Sequence, residues 1–273
     1  MLSMSKQTDP DFLANEQYGD GADLHTRIRI QERYRTHPQT WFHWTFEHFE
    51  IPRQAHILEL GCGLGDLWLE NITRLQESWQ VVLTDLSPGM VAETHRSPLG
   101  KQPNFYCAVL DMQAVPFEAD TFDTVIGAGV LDHVPDRIRA LNEIQHVLKP
   151  GGRFYTTTGS CTHLQEIETL VQPFLPGADY GGDPLRFGLE NGEKLLSPWF
   201  TSIRRYLYDD ELVFKQPEPI IDYVLSEADV RYKLQGEKKE AFVQFINQEL
   251  ALRREIRVNV NKGLFEAVKP ISP

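Results

Sequence analysis

Short apolar runs alternate with stretches of helical periodicity between His56 and Thr158. The runs occupy residues 57–60, 81–84, 105–110, 124–126 and 153–157, each short and bounded by turn residues, as buried strands are. Between the last two, Ile138, Leu141, Ile144 and Leu148 recur every three or four positions. This spacing predicts a helix that Pro135 starts and Pro150-Gly151-Gly152 ends. Strand–helix–strand alternation implies a parallel sheet covered by helices on both faces. Ligands of such sheets sit beyond the carboxyl ends of the strands.

The flanks are less regular. Residues 1–22 are polar and broken by Gly19 and Gly21, which predicts a mobile arm. Residues 23–50 have helical character, with Ile28, Trp41, Phe42, Thr45 and Phe49 on apolar faces and a break at Pro38. Pro38 suits the first turn of a second helix, where its missing N–H costs nothing. Residues 162–174 look helical; Pro176, Gly177, Gly181, Gly182 and Pro184 mark a loop-rich insertion. Strands are expected at 203–208 and 264–268, and helices at 218–228 and 237–257 beside the sheet's upper edge. Without a repeat or a linker composition, the expectation is one domain over 1–273. Within it, 1–50 form a helical lid, 51–160 a cofactor-binding core, and 161–273 the substrate-side insertions and final strands.

Composition narrows the function. The 273 residues are 41% hydrophobic and carry a formal net charge of −12, which argues against nucleic acid as the main partner, since phosphate backbones need clustered Lys and Arg. Cys62, Cys107 and Cys161 form no CxxC or metal-finger pattern, so they read as reduced, mostly buried thiols and no metal is expected. The first residues lack a basic flank and apolar run, and no stretch has the length of a membrane span. A soluble cytoplasmic protein without a membrane partner is expected. No pattern sets an oligomeric state.

The strongest chemical signal is Ile57-Leu58-Glu59-Leu60-Gly61-Cys62-Gly63-Leu64-Gly65-Asp66, a buried strand running into a glycine-rich turn and a helix carrying Leu67, Ile72 and Leu75. Glycines permit the sharp turn and the close approach of a ligand to the main chain. The spacing is GxGxG, and Asp66 stands where a dinucleotide fingerprint has its last glycine. An acid there repels a pyrophosphate on the helix N-terminus. A ligand with an amino-acid moiety fits better, and Glu59 can face its ammonium. Asp85 ends the next strand, where an acid can accept from both ribose hydroxyls; Ser87-Pro88 already supplies the following helix start. Asp111 ends the third strand, where it can accept from an adenine amino group while Met112 lies along the ring, or is an ordinary acid of a surface loop.

These stretches, with LTDLSPGM, LDMQAVPFEADTFDTVIGAGVLDHVPD and LNEIQHVLKPGGRF, resemble the class I S-adenosylmethionine-dependent methyltransferases, closely over about residues 55–160. Within that superfamily the chain looks like the ubiquinone/menaquinone-biosynthesis type of small-molecule methyltransferase. The resemblance implies an α/β fold with a doubly wound, mostly parallel seven-stranded Rossmann-like sheet, its last strand antiparallel at 264–268, and helical lid elements. It implies S-adenosyl-L-methionine as cofactor. Glu59, Gly61, Cys62 and Gly63 would surround its methionine part, Asp85 and Leu86 the ribose, Asp111 and Met112 the adenine, and Ala128 and Gly129 the region beneath the sulfonium. Met90 and Gln113 are counted with these cofactor-binding residues.

The expected reaction is methyl transfer to an O, N or C atom of a small-molecule acceptor. Such a displacement has an excellent leaving group, so the protein mainly aligns, excludes water and removes a proton where the nucleophile demands it. His133, in Gly129-Val130-Leu131-Asp132-His133, is the candidate base; alternatively it fastens its loop through Asp136. Asp132 is a candidate substrate ligand, or faces solvent or caps the following helix. Tyr34, His37, Trp41 and Trp44 are candidate substrate walls, or ordinary packing with Phe46. His25 and His37 are weaker candidates for a base. Tyr18, in the Gly-rich arm, is expected to close over the cofactor. The competing readings are a methyltransferase-like module that binds cofactor without turnover, and an NAD-dependent oxidoreductase, which Asp66 opposes. The loop Gly127-Ala128-Gly129-Val130 lacks the Asn/Asp-Pro-Pro-aromatic motif of nucleobase enzymes, and no carboxylate cluster suggests a catechol-type metal site.

Overall fold

A computed structural model describes residues 6–178 and 186–271; Gly181, Gly182 and Pro184 of the expected insertion lie outside them. The apolar runs form the strands β1 (Ala55–Leu60), β2 (Trp79–Asp85), β3 (Phe105–Val109), β4 (Phe122–Ala128) and β5 (Leu148–Gly159), joined by the long strands β6 (Thr201–Phe214) and β7 (Ile256–Val268). They make one seven-stranded sheet in the order β3-β2-β1-β4-β5-β7-β6. β1 to β5 pair in parallel, and β7 runs antiparallel to both β5 and β6. Ile57, Leu58 and Leu60 of β1 are wholly buried, as a central strand covered on both faces requires. Strand order reverses between β1 and β4, which opens a crevice at their carboxyl ends.

The helices are α1 (Pro10–Phe12), α2 (Ala22–Tyr34), α3 (Trp41–Glu47), α4 (Asp66–Leu69), α5 (Pro88–Arg96), α6 (Arg137–Val147), α7 (Gln165–Val171), α8 (Gly192–Leu196), α9 (Glu218–Leu225), α10 (Ala228–Lys233) and α11 (Glu237–Arg253). Among the described residues, none is long and apolar enough to cross a membrane. α6 packs Leu141, Ile144 and Val147 into a core with Leu58, Val125 and Phe154. A second core lies above the sheet, where the β6–β7 ribbon continues past the end of β5 at Gly159↔Lys262 as far as Phe214↔Ile256. There Leu212, Phe214, Val258 and Val260 pack against α9 and α11.

Several expectations need correction. The N-terminal arm is folded rather than mobile from residue 6 onward: Asp9 caps α1, accepting from the N–H groups of Asp11 and Phe12, and a helical turn follows over Leu13–Gln17. Phe12, Leu13 and Gln17 are buried, and the Gln17 amide donates to Ser226 O and accepts from Ala228 N. Pro38 precedes α3 instead of entering it, because Thr40 is the cap, accepting from His43 N. The helix after the glycine turn is one short segment, with Ile72 in a separate turn. Ile138 is 63% exposed, so the apolar face of α6 starts one turn later. Pro150-Gly151-Gly152 does not end α6 but bulges within β5, where Gly151, at φ +77°, donates to Lys269 O. α7 is shorter than 162–174, the segment 218–228 divides into two helices, and 237–257 yields its last residues to β7. Of the thiols, only Cys62 is buried; Cys107 is half-buried and Cys161 exposed.

Candidate active site

The crevice holds two adjoining cavities. The smaller, about 190 Å³, lies over the ends of β1, β2 and β4. The larger, about 890 Å³, extends beneath α2, α9 and α10. Gly61, Gly63, Ala128, Gly129, Tyr18 and His133 belong to both walls, so one chamber leads into the other.

The glycine turn is fastened to the neighbouring strand. Gly61 N and Cys62 N both donate to Thr84 O at 2.8 Å. Gly61 sits at φ +76°, and a Cβ there would lie 2.1 Å from Val130 Cγ1, so both conformation and space demand glycine. Asp85 Oδ2 accepts from Gly63 N and Oδ1 from Ser87 N, each at 2.9 Å. Burial pushes the Asp85 carboxyl up, while these N–H groups hold it back. Each oxygen keeps lone pairs for further donors. Ser87 caps α5, accepting from Met90 N at 3.2 Å and donating to Tyr18 O at 2.6 Å. Asp111 accepts from Gln113 N at 2.8 Å and from the Gln113 amide. Leu86, Met90, Asp111, Met112 and Gln113 all line the smaller cavity.

Glu59 lies on the larger cavity with Cys62. It is 2% exposed, and Trp68 Nε1–H donates to its Oε2 at 2.5 Å. Burial drives its carboxyl up to about 8, against the indole bond and with help from Asp85 and Asp66. Burial also pushes the Cys62 thiol well above its usual range.

His133 faces both chambers, but not Asp136. Its Nδ1 is 3.0 Å from Gln7 O, and since a carbonyl only accepts, Nδ1 carries the proton and Nε2 the lone pair. Asp136 instead caps α6, accepting from Arg139 N. Asp132 is therefore not the cap, and it lines the larger cavity. Tyr18 is held in place: its ring stands edge-on to His133 at 6.0 Å, and the Arg27 guanidinium lies 5.7 Å from the ring centroid.

Of the four lid aromatics, the structure brings only Trp41 to the chamber. Tyr34 packs on Phe214 in the second core. His37 bonds Gln39 and lies 4.3 Å from Tyr208. Trp44 is buried, stacked on Trp41 at 5.4 Å. These three are packing residues. His25 is exposed. Leu24, Arg27, Gln31, His163, Tyr223 and Lys262 line the larger cavity without having been expected. Lys262 alone left a trace in the sequence, as a charge between the apolar alternation of Val258 and Val260 and the run Leu264-Phe265. Among the described residues no group of His, Cys, Asp and Glu is placed to hold a metal.

Residues 57–152 match the family model described as a methyltransferase domain. The ubiquinone/menaquinone biosynthesis C-methyltransferase of Pectobacterium atrosepticum is 28% identical over 137 residues, 49% of this chain and 54% of that protein. The demethylmenaquinone methyltransferase of Lactiplantibacillus plantarum is 34% identical over 137 residues, 48% and 56% of the two chains. The chain thus spans about half the length of the curated relatives it matches. In fold it is similar to Haemonchus contortus phosphoethanolamine N-methyltransferase 2, solved with S-adenosyl-L-methionine (TM-score 0.58, 20% identity, 98% of this chain and 61% of that one). It is also similar to the [4+2]-cyclase SpnF (TM-score 0.52, 18% identity, 85% and 80%).

Proposed function

We propose that this chain, a class I methyltransferase by its sheet and by the methyltransferase-domain family to which residues 57–152 belong, transfers a methyl group from S-adenosylmethionine to a small-molecule acceptor. The observation that carries the reading is the convergence of Gly61, Gly63, Asp85, Asp111, Met112 and Gly129 on one small cavity that opens into a larger one.

The residues fit the cofactor on three counts. Gly129, at φ +68°, has nothing within 4 Å of where a Cβ would stand, so this stretch of backbone is open to a ligand. Asp85 has lone pairs left for two ribose hydroxyls. Glu59 is a buried carboxyl with no cation paired to it among the described residues, suited to an amino-acid ammonium. On this reading Glu59, Cys62 and the glycine turn hold the methionine part, Asp85 and Leu86 the ribose, and Asp111, Met112 and Gln113 the adenine. Met90 and Ala128 complete the walls. When bound, the cofactor supplies an electrophilic methyl on a sulfonium.

The chain's own work is alignment and proton removal. The strap over Lys6–Gln17 and Tyr18 roof the site and exclude water. With Nδ1–H committed to Gln7 O, His133 offers Nε2 as the base for an acidic nucleophile. Asp132 and Trp41 stand on the acceptor side. The acidic balance of the whole chain supports a small molecule rather than nucleic acid as partner, and a cytoplasmic setting is the simplest one for its unpaired thiols. The sheet fold alone does not establish turnover, so the test is formation of S-adenosylhomocysteine with a panel of small acceptors. Calorimetry with S-adenosylmethionine and NADH should show tight binding of the first only. Asp85→Ala should lower that affinity by about 100-fold, the loss of two charge-assisted hydrogen bonds. Unchanged binding would refute the ribose assignment.

A further inference from the structure

We propose that the larger cavity binds the acceptor through a carboxylate, one oxygen on Lys262 Nζ and the other on His163 Nδ1; the proposal rests on the methyltransferase reading above and names the chemical class of its substrate.

The two side chains are neighbours because the sheet makes them so. Lys262 of β7 is the register partner of Gly159, the last residue of β5. The chain then turns, and the His163 ring comes back over Gly159, so closely that a Cβ on that glycine would lie 3.1 Å from it. Both residues line the larger cavity. Gly159 thus lets the imidazole and the lysine share one corner.

Neither group is fully satisfied by the protein. His163 Nδ1 is closed off from solvent and has no hydrogen-bond partner among the described residues, which is costly unless a ligand that enters with a turn of the ring completes it. Lys262 donates one proton to Gln31 Oε1 and rests its ammonium 4.7 Å from the Trp41 ring centroid. It forms no ion pair among the described residues, although two other charged groups nearby are engaged: Glu32 accepts from Arg35, and Arg27 is paired with Glu227. An ammonium has three protons, so donor capacity remains. A carboxylate offers two adjacent acceptor oxygens, which suits two adjacent donors.

The charge states agree. Burial lowers the Lys262 ammonium to about 8, while Glu32 of α2 and Asp210 of β6 hold it up, so it is charged at neutral pH. Burial and the Lys262 charge drive His163 down to about 3, so it is neutral and donates through Nδ1–H in one tautomer. An ammonium beside a neutral donor matches the single charge and two oxygens of a carboxylate. The same cavity is also lined by Trp41, Phe42, Leu164, Phe174 and Leu175, apolar surface for the body of the acid, with Gln31 and Glu32 as polar neighbours of the lysine. Gly129, beneath the proposed methyl, donates to Thr157 O of β5. Lys262 therefore lies two strands away, on the order of 10 Å across the sheet, so the nucleophilic atom is several bonds from the carboxylate.

The test uses the full chain saturated with S-adenosylhomocysteine and a panel of aryl and short-chain carboxylates, each beside its carboxamide and its phosphate-monoester counterpart, read by ligand-observed NMR. Carboxylates are expected to bind at least tenfold tighter than their carboxamides. Lys262→Met should abolish that preference, Lys262→Arg should keep most of it, and His163→Leu should weaken carboxylates several-fold. All three variants should keep wild-type affinity for S-adenosylhomocysteine, which also certifies their fold. Equal binding of carboxamides, tighter binding of phosphate monoesters, or a preference that survives Lys262→Met would overturn the proposal. Failure of the wild-type chain to bind S-adenosylhomocysteine at all would instead overturn the methyltransferase reading.

Discussion

Glu59→Gln separates a ligand-binding carboxylate from a structural one. Glu59 is buried at the end of β1, with one oxygen on the Trp68 indole, and its carboxyl is raised from 4.5 to about 8. A raised carboxyl binds its proton more tightly in the folded than in the unfolded chain. The fold's advantage is complete below about 4.5 and is lost as pH climbs to about 8. At 1.36 kcal/mol per pH decade, the difference between 4.5 and 8 is on the order of 5 kcal/mol. Gln cannot ionise and keeps an acceptor for Trp68 Nε1–H, but its buried amide costs about 1–3 kcal/mol. Denaturant unfolding should therefore show the variant at or below wild type at pH 5 and above it by a few kcal/mol at pH 8. Binding should reverse the order. The wild type should lose affinity for S-adenosylmethionine by tenfold or more on substitution, yet keep its affinity for 5′-methylthioadenosine, which lacks the ammonium and carboxylate. Parallel stability curves across the pH range, or equal losses for the two ligands, would refute the reasoning.

Two further substitutions test neighbouring parts of the site. Gly129→Ala places a methyl in the open space at φ +68°; it should cost about 1–2 kcal/mol of stability through its left-handed backbone and lower S-adenosylhomocysteine affinity at least tenfold, with unchanged calorimetric affinity counting against the cradle. His133→Asn keeps a donor for Gln7 O while removing the basic nitrogen, so single-turnover rates with an accepted substrate should fall by about 100-fold or more; a wild-type rate would leave His133 as a fastener of the strap.

The parallel half of the sheet was legible because its signals are local. Each of β1 to β4 is a short apolar run next to a turn residue or an acid, and the chemistry sits at the strand end, where sequence neighbours are also neighbours in space. Gly61, Gly63, Asp85 and Asp111 fall in that class. The β6–β7 ribbon was harder to read. Asp209, Asp210 and Glu211 look like a loop, yet they belong to the edge strand β6, where Asp210 accepts from the N–H groups of Thr36 and His37 and Leu212 bridges to Arg35. Ile256, Val258 and Val260 do alternate with Arg257, Asn259 and Asn261, a strand's period of two, but the helical character of the residues just before them, which form α11, carries the helical reading into them.

The acceptor side was unreadable for a different reason. Its walls come from α2, α3, the turn after β5, α9 and β7, segments as far apart as Gln31 and Lys262, 231 positions in the chain, that meet only because the ribbon outruns β5 and gives the lid helices a core of their own. Local patterning ranked Trp41 and Trp44 alike; three residues apart on one short helix, they differ in fate because Lys262 arrives beside the first while the second stacks under it against His48 and Tyr208. Tyr34 and His37 were drawn off to the second core and to Tyr208 in the same way. The residues proposed for the cofactor are thus dictated by strand ends that the fold repeats, whereas those proposed for the acceptor depend on how far one antiparallel ribbon extends. A change in the length of β6 and β7 would re-aim Lys262 and His163 without touching the glycine turn or Asp85, which is a physical route to new acceptors on an unchanged cofactor site.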